Sequence, residues 1–406
     1  MKKYPFIIMA LLASPAQAET TAQPAPDQAG RPASMEQWIT DFRPRALEAG
    51  ITGAVYDRHM QDLSFDPLVV ERDRNQSEFT KTIWEYLSTA VSDLRVANGR
   101  AALDKQREAL TDIEAEYGVP AQIVAAIWGL ESAYGTFRGS DPVLRSMASL
   151  AYDARRAAFF EAQVIAALDI LQSGDTTAAS LTGSWAGAMG HTQFMPTSFI
   201  DHAVDWTGDG KRDIWGDDPR DALASTAAYL KKNGWTTGQP WGVEVRLPEG
   251  FDYLLASRDV RKPAADWAAL GVTDTGGEPV RDHGLASILL PAGAEGAAFM
   301  IFDNFEVLES YNTADAYVIA VGHLADRIVG AGPLKGSWPT QDRALSFDER
   351  IELQERLTQA GFDTQMIDAK IGPLTINAVR GWQVSKGLLP DGYASPRLLE
   401  RLRKDP

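Results

Sequence analysis

The chain has 406 residues, no cysteine and a formal net charge of −16. A chain of this length can bury a substantial core and is expected to divide into two or more domains, without disulfides to stabilise them. The acidic charge argues against nucleic acid and anionic membranes as partners, because binding to either needs a basic surface.

The first 18 residues have the pattern of a secretory signal peptide. The charged start KK precedes an apolar run at residues 6–13, and AQA at 16–18 is a small-residue cleavage pattern. A buried N-terminal strand is the alternative, while a membrane span would need about 20 apolar residues. Because no cysteine follows the cleavage site, we expect no lipid attachment and no stable membrane anchor. The prediction is a soluble protein exported to the periplasm.

Helical spacing dominates the next part of the chain. Residues 19–33 are rich in Pro, Ala and Gln without an apolar period, which predicts a flexible lead-in. From Met35 to about Arg95, apolar residues such as Phe79, Ile83 and Leu87 recur at helical spacing. Further helices are predicted over residues 107–117, 120–134, 154–171 and 219–233.

Between residues 236 and 300 the pattern changes to short strands bounded by Gly and Pro. The segments are WGVEVRLPEGFDYLL, RDHGLASILLPAG and GAAFMIFDNFEVL, the last of which ends at Leu308. One more helix is predicted over 314–329. This region therefore forms a small β-rich insert in a helical domain.

The C-terminal part is separated by a Gly- and Pro-rich linker at residues 331–343. Residues 344–406 then predict a compact module of two or three short helices. The fold class is mainly α (α+β), with a large domain at residues 34–330 and this small helical module behind it.

A glutamate interrupts an apolar helix in the segment AAIWGLESAYG, residues 125–135. Glu131 shares one helix face with Val124, Ile127 and Trp128. Burial and the negative end of the helix dipole both disfavour a carboxylate, so a raised pKa and a general-acid role are predicted.

The limits of that helix and the alternatives for its glutamate follow from the flanking residues. Pro120 suits the first helical position and Gly135 suits a helix end. Glu131 could also be a partly exposed residue at a helix end, or pair with Arg138 or Arg145. Spacing alone does not decide between these readings.

The sequence lacks the motifs of other common catalytic chemistries. The five histidines lack paired metal-ligand spacing, GSWAG places its serine one position away from a nucleophile elbow, and no phosphate-binding loop occurs. Carboxylate chemistry remains, in a chain with 11 Trp, 11 Tyr and 15 Phe whose aromatic faces suit sugars as well as cores. This combination is typical of enzymes that act on glycosidic bonds.

Four motifs in order resemble the lytic murein transglycosylase B family: YGVPAQIVAAIWGLESAYG, GSWAGAMGHTQFMPTSFIDHAVDWTGDGKRDIW, DALASTAAYLKKNGW and NFEVLESYNTADAYVIAVGHLADRI. The resemblance implies a lysozyme-like helical fold with a β-rich side domain around a glycan groove. It also implies cleavage of the bond between N-acetylmuramic acid and N-acetylglucosamine in peptidoglycan strands, with Glu131 as the single acid and base. The product would be a 1,6-anhydro sugar.

A single carboxylate suits that reaction. Two-carboxylate glycosidases need a second acid about 5–9.5 Å from the first, whereas an attacking hydroxyl of the substrate itself removes this need. No cofactor is expected for catalysis. The alternatives are a hydrolytic muramidase, which admits water, and a catalytically silent peptidoglycan-binding scaffold. Protein partners in the cell envelope are not identified by the sequence.

The resemblance also implies substrate contacts. Ser184 and Gln193 match positions for polar contacts near the cleaved sugar, and Tyr229 matches a groove-lining tyrosine. Tyr311 and Asn312 match a Tyr-Asn pair, of which Asn312 is the better candidate for a hydrogen bond to substrate. Without the resemblance, Tyr229 could belong to the core and Ser184 to a cap or turn.

The chain departs from the family pattern at a few of these positions. His191 stands where relatives often have an aromatic residue, and Phe159 or Phe160 stands where a tyrosine hydroxyl is common. Details of subsite binding are therefore expected to differ.

The segment DWTGDGKRD resembles the start of an EF-hand calcium loop, with oxygen donors at positions 1, 3 and 5 and a glycine, Gly210, at position 6. Position 12 is Gly216 instead of Glu, and the family pattern favours a later acid. The candidate ligands of a structural Ca²⁺ are Asp205, Thr207, Asp209, Lys211 through its carbonyl, and Asp221. A polar turn that caps the following helix is the alternative.

Residues 351–402 resemble a three-helix peptidoglycan-binding domain, through LQ-x-x-L, IGPLT-x-x-AV, WQ and GL-x-x-DGY. One departure is IDAKIG, where Asp-Gly is usual, so the turn before Ile371 is expected to change. A glycan-binding module raises the effective concentration of an attached enzyme on an insoluble polymer. A helical cap packed on the main domain is the alternative.

Overall fold

The structure is a computed structural model that describes residues 32–74 and 81–404. The predicted signal peptide, most of the predicted lead-in and Phe79 lie outside the described residues. The chain folds into two units, and each is described by itself. Within the described residues, the first unit comprises 32–74 and 94–233, and the second comprises 81–93 and 234–404.

Helices make up most of the described chain. In chain order they are α1 (Met35–Glu48), α2 (Gly53–Met60), α3 (Pro67–Arg74), α4 (Ile83–Ala90), α5 (Asp93–Lys105), α6 (Arg107–Tyr117), α7 (Ala121–Ser132), α8 (Val143–Tyr152), α9 (Ala157–Ser173), α10 (Pro196–His202), α11 (Arg220–Lys232), α12 (Ala264–Ala269), α13 (Asp303–Tyr311), α14 (Asp315–Ile328), α15 (Phe347–Gln359), α16 (Pro373–Ser385) and α17 (Pro396–Lys404). None of these helices is both long and apolar enough to cross a membrane.

The strands are short. They are β1 (Asp141–Pro142), β2 (Thr182–Gly183), β3 (Gly242–Arg246), β4 (Lys262–Pro263), β5 (Thr273–Asp274), β6 (Leu285–Leu289) and β7 (Ala298–Ile301). In the first unit β1 and β2 form an antiparallel pair in which Asp141 lies opposite Gly183. In the second unit an antiparallel sheet has the strand order β4-β6-β7-β3-β5.

The core of the first unit surrounds α7, α8 and α9. Because α7 carries apolar residues on every side, its residues from Ile123 to Gly129 are all buried. Helix α8 is also almost fully buried, and α9 packs against both α8 and α10. The helix that carries Glu131 is therefore a central element of its unit and not a surface helix.

One predicted strand is wrong over part of its length. The segment that ends at Leu308 leaves the sheet at Ile301, and α13 begins at Asp303. Phe305, Leu308 and Tyr311 are buried at helical spacing, so the apolar residues that suggested a strand line one face of a helix.

The C-terminal module consists of α15, α16 and α17 around a core that includes Leu353, Trp382 and Leu402. The predicted fold class, mainly helical with a small β-rich insert and a three-helix C-terminal module, is confirmed. The module also packs on the β-rich region of its own unit, because Arg380 donates a hydrogen bond to the Ala256 carbonyl.

The linker before this module is fixed at its start. The backbone N–H groups of Lys335 and Gly336 donate to the Glu244 carboxylate, and the Ser337 hydroxyl donates to the Glu295 carbonyl. Arg397 of the module pairs with both Glu295 and Asp342. Within the second unit, the module is therefore held by several polar contacts as well as by chain connectivity.

Candidate active site

The helix that carries Glu131 ends in an uncommon left-handed turn. Pro120 is the N-cap rather than the first helical residue, and α7 ends at Ser132, so the predicted extension to Tyr134 is wrong. Ala133, Tyr134 and Gly135 then have φ values of 50°, 59° and 83°. Left-handed backbone at non-glycine residues costs free energy and persists only where surrounding contacts enforce it.

Side-chain hydrogen bonds enforce this turn. The Ser132 hydroxyl donates to the His191 carbonyl at 2.5 Å and accepts from the Gly135 N–H at 2.9 Å. The Tyr134 hydroxyl donates to the Arg95 carbonyl at 2.9 Å. The end of α7 is thereby joined to two distant segments of the first unit.

Two glycines are required by close packing around the turn. A Cβ atom on Gly135 would lie 2.5 Å from Nδ1 of His191, and one on Gly129 would lie 2.5 Å from the Tyr134 ring. Gly135 also has positive φ, which glycine adopts without steric cost. The spacing of the two glycines in GLESAYG thus reflects contacts with His191 and Tyr134.

Glu131 lies one residue before the end of α7 and is half-buried. On the same face, Val124, Ile127 and Trp128 are no more than 4% exposed. The predicted position of a carboxylate beside an apolar helix face is therefore observed, and the raised pKa stays a prediction.

The arginines considered as partners of Glu131 contact other groups. Arg138 donates to the carbonyls of Trp215 and Gly216 and pairs with Asp217. Arg145 pairs with Asp66 at 3.5 Å. Arg138 and Arg145 are thus each held by contacts to other groups, and the role of Glu131 stays a prediction.

His191 is 3% exposed and joins three segments. Trp128 Nε1 donates to His191 Nδ1 at 3.1 Å, which assigns the proton to Nε2, and Nε2 then donates to the Gly216 carbonyl at 2.8 Å. Burial lowers the pKa of His191, and the nearby Arg138 guanidinium lowers it further. The residue that departs from the family pattern is thus a neutral imidazole that fixes Trp128.

Ser184 and Gln193 lie in one segment that folds back on itself and reaches the end of α7. The Ser184 hydroxyl accepts a hydrogen bond from the Ala188 N–H at 3.1 Å, as expected if this residue belongs to a turn. Gln193 has φ of 57°, and its side-chain amide donates to the carbonyls of Gly190 and Arg138 at 2.8 and 3.2 Å. With the β1–β2 pair, these bonds bring the segment against the chain that follows Glu131.

Tyr229 adjoins the same segment from α11. Its ring centroid lies 5.9 Å from that of Phe194 and 4.5 Å from that of His202. The side chain is half-buried, so it packs against the end of the Gln193 segment without belonging to the fully buried core.

Tyr311 and Asn312 lie in the second unit, at the end of α13. They are 8% and 4% exposed, and the Asn312 side-chain oxygen accepts the Ala314 N–H at 3.1 Å. The loop between α13 and α14 therefore has a defined conformation around Asn312.

The EF-hand-like loop uses its acids to hold its own backbone. Asp205 accepts N–H groups from Gly208, Asp209 and Gly210 at 2.7–3.2 Å. Asp209 accepts the Lys211 N–H at 2.9 Å. This is the hydrogen bonding expected of a polar turn.

Asp221 closes the same loop from the first turn of α11. Its carboxylate accepts the N–H groups of Trp206, Thr207 and Asp213 at 2.9–3.0 Å, and burial raises its pKa. Within residues 32–74 and 81–404, no three His, Cys, Asp or Glu side chains converge so that they could hold a metal ion. In this arrangement the carboxylate oxygens of Asp205, Asp209 and Asp221 accept backbone N–H groups, and calcium binding by these residues stays a prediction.

Sequence reasoning did not identify the residues that hold the turn. Ser132, Tyr134 and Arg95 act there through a hydroxyl or a backbone carbonyl. The only signal in the sequence was Gly135, which indicated a helix end and not the three left-handed residues.

The buried helix, the terminal carboxylate and the folded-back polar segment define a helical enzyme domain of the lysozyme-like class. Residues 34–326 match the family described as Transglycosylase SLT domain, and residues 347–402 match a peptidoglycan binding domain. The chain therefore belongs to the SLT transglycosylase family. The resemblance identified from the sequence is confirmed.

Several known proteins are similar to the chain. SltB3 from Pseudomonas aeruginosa, solved in complex with NAG-anhNAM-pentapeptide, is 50% identical over 92% of this chain and 100% of that one, with a TM-score of 0.88. Slt35 from Escherichia coli, solved in complex with calcium, is 28% identical over 75% of this chain and 94% of that one, with a TM-score of 0.61.

A curated relative is the membrane-bound lytic murein transglycosylase B of Escherichia coli. It is 32% identical over 250 residues, which are 60% of this chain and 66% of that protein. The match thus spans slightly less than two thirds of the relative's length. The lysozyme-like fold expected from the resemblance is confirmed by the solved structures.

Proposed function

We propose that the protein is an exported lytic transglycosylase that cleaves the MurNAc–GlcNAc bond of peptidoglycan without water. The main support is Glu131, a half-buried carboxylate at the end of a buried helix whose turn is joined to the segment of Ser184 and Gln193. The complex of the 50% identical SltB3 with an anhydro-muramic sugar adds to this support.

Glu131 performs both proton transfers in the proposed reaction. It first donates its proton to the glycosidic oxygen while the bond from that oxygen to C1 of the muramic sugar breaks. The resulting carboxylate then accepts the proton of the 6-hydroxyl as that oxygen attacks C1. The 1,6-anhydro ring closes, Glu131 is again protonated, and no water is consumed.

Ser184, Gln193, Tyr229, Tyr311 and Asn312 hold the glycan in this proposal. Polar groups fixed in advance by their own hydrogen bonds lose little freedom when a sugar binds, which favours productive orientation. Gln193 and Asn312 have such bonds through their side-chain amides.

The C-terminal module binds the cell wall and keeps the enzyme on its insoluble substrate. Because Arg380 and Arg397 hold the module against the β-rich region, it should present the glycan in a restricted range of orientations. This differs from a flexible tether, in which effective concentration depends on linker length.

Digestion of purified peptidoglycan tests the reaction. Mass spectrometry of the soluble products should show anhydro-muropeptides from the wild type, and Glu131→Gln should lower the rate by about 10²–10⁴-fold. The matched control is Glu116→Gln, at an exposed position of the adjacent helix α6, which should retain the wild-type rate.

The two alternative functions, a hydrolytic muramidase and a silent scaffold, predict different outcomes. Species heavier by one water would identify a hydrolytic muramidase, and binding without any released product would identify a scaffold. Near-normal activity of Glu131→Gln would overturn the assigned role of that residue.

Export and calcium are tested separately. Export predicts that the mature protein is recovered from the periplasm and begins after residue 18, which N-terminal sequencing determines. Calcium binding by the loop at 205–221 stays a prediction of the sequence. It requires a thermal midpoint that rises with Ca²⁺ and falls with a chelator, and an unchanged midpoint would contradict it.

A further inference from the structure

One arginine bridges the two ends of the segment that carries Tyr311 and Asn312. Glu309 precedes the pair in α13, and Asp315 is the first residue of α14. Arg258, from the β-rich region, donates to both Glu309 oxygens at 2.6 and 2.7 Å and to Asp315 at 2.6 Å. The guanidinium therefore contacts both helices that flank the segment.

The bridge is sheltered from water. The side chains of Arg258, Glu309 and Asp315 are 25%, 20% and 33% exposed. The guanidinium also lies over the Phe305 ring, 5.1 Å from its centroid. Charge-assisted hydrogen bonds to a partly buried planar guanidinium are among the stronger and more directional contacts in proteins.

The bridge also balances charge. Two carboxylates close together repel each other, and burial raises the pKa of Glu309. Burial alone would lower the pKa of Arg258, but the adjacent Asp315 and Glu309 charges outweigh it and raise that pKa. Without the guanidinium, the two acids would tend to move apart, and the short segment between them would move with them.

We propose that Arg258 is a positioning residue for glycan binding, which fixes Tyr311 and Asn312 by bridging Glu309 and Asp315. The proposal rests on the proposed function, in which Tyr311 and Asn312 contact the sugar. Arg258 does not touch substrate; it sets the distance between the ends of two helices. It also makes the geometry of this glycan-contacting segment depend on the β-rich region.

Steady-state kinetics of the full mature chain on a soluble NAG-NAM tetrasaccharide test this role. Arg258→Met is expected to lower kcat/KM by about 10–100-fold, because displacements near 1 Å of positioning groups can cost about 10²-fold. Arg258→Lys keeps the charge but not the two-sided geometry, and should recover part of the loss. The lysine variant also keeps the test valid if the methionine variant folds poorly.

A matched control is provided three residues further on. Arg261 pairs with Asp303 at the start of α13, the end of that helix opposite to Tyr311, and its side chain is 33% exposed. Arg261→Met removes a similar pairing between the β-rich region and α13. It should leave kcat/KM within about twofold of the wild type. A loss as large as that of Arg258→Met would show that any ion pair between these elements matters, and would overturn the specific role of Arg258.

A double-mutant cycle separates positioning from general stability. If Arg258 acts through Asn312, then adding Arg258→Met to Asn312→Ala should cost much less than Arg258→Met costs alone. A merely structural role predicts that the two losses multiply, and that result would overturn the proposal.

The same variants distinguish failure of this inference from failure of the proposed function. Full activity of both Asn312→Ala and Glu131→Gln would overturn the proposed site itself. If those two variants lose activity while Arg258→Met keeps it, the site stands and the positioning role is overturned.

Discussion

Two of the turns that place alanine in left-handed backbone, at Ala133 and Ala369, are held in different ways. Ala133 follows the helix of Glu131 and is succeeded by two more left-handed residues, whereas Ala369 lies in the C-terminal module with φ of 62°. Ser132, His191 and Tyr134 hold the first turn through contacts to several segments.

A buried glutamine makes most of the side-chain hydrogen bonds that hold the second turn. Gln354, which is 1% exposed, accepts the N–H groups of Asp368 and Ala369 at 3.0 and 2.8 Å. Its amide donates to the Lys370 carbonyl and the Thr375 hydroxyl. The alanine of IDAKIG therefore has a backbone conformation that favours glycine.

The two turns differ in whether their backbone strain lies beside the proposed active site. Strained backbone at an active site persists when the surroundings over-determine it, as around Ala133 and Tyr134. The turn at Ala369 is held by hydrogen bonds within the module, mainly to Gln354, and the proposed function places no substrate there. Mutations should therefore affect activity at the first turn and module stability at the second.

The largest effect is expected at Gly135. In Gly135→Ala, positive φ and the overlap of the new Cβ with the His191 ring displace the end of α7, so activity on peptidoglycan should fall by about 10²-fold or more. The control is Gly174→Ala. Gly174 also has a positive φ, of 81°, but a Cβ atom added there would have no other atom within 4 Å. If both variants lose activity equally, backbone strain and not the His191 contact is responsible.

A second large effect is expected in the module. Gln354→Leu removes the acceptor of the Asp368 and Ala369 N–H groups, and an unpaired buried group costs about 1–3 kcal/mol, so the module should unfold at a lower denaturant concentration. Binding to insoluble peptidoglycan, measured by co-sedimentation, should weaken, while the rate of cleavage of a short soluble glycan should be retained. The exposed Gln359→Leu in the same helix is the control, and equal behaviour of the two variants would contradict the assigned role.

A smaller effect concerns the pH dependence of stability. Burial lowers the pKa of His191 from its ordinary 6.5, so below that pH the unfolded chain binds a proton more readily than the folded chain. His191 therefore contributes stability above pH 6.5 that is lost as the pH falls. In urea titrations from about pH 7.5 to 5, His191→Tyr should show a shallower decline than the wild type, and parallel declines would refute the assignment.

The smallest effect is expected at the second alanine. Ala369→Gly removes the steric cost of left-handed backbone but adds freedom to the unfolded chain, for a net gain of about 0.5–1 kcal/mol. Denaturant unfolding of the full chain measures it through the transition of the module. A destabilised variant would mean that the buried Ala369 methyl contributes more packing than its backbone costs.

Much of the fold was predictable because the apolar periods are long and regular. The predicted helix over 107–117 coincides with α6, and the helix predicted over 219–233 differs from α11 by one residue at each end. The error at residues 303–308 arose where a strand meets a helix within one apolar run. In that run the spacing of apolar residues fits both a strand and a helix, and only tertiary packing decides between the two.

The family, the helical fold class and the location of a carboxylate on an apolar helix face were all predictable from the sequence. These properties depend on residue type and spacing, which are local. Three features depend on tertiary contacts instead: the left-handed turn after Glu131, the neutral tautomer of His191, and the bridge from Arg258 to Glu309 and Asp315. Several of the hydrogen bonds that hold them join residues more than 50 positions apart along the chain, from Ser132 and Trp128 to His191 and from Arg258 to the α13–α14 segment, so no local pattern could encode them.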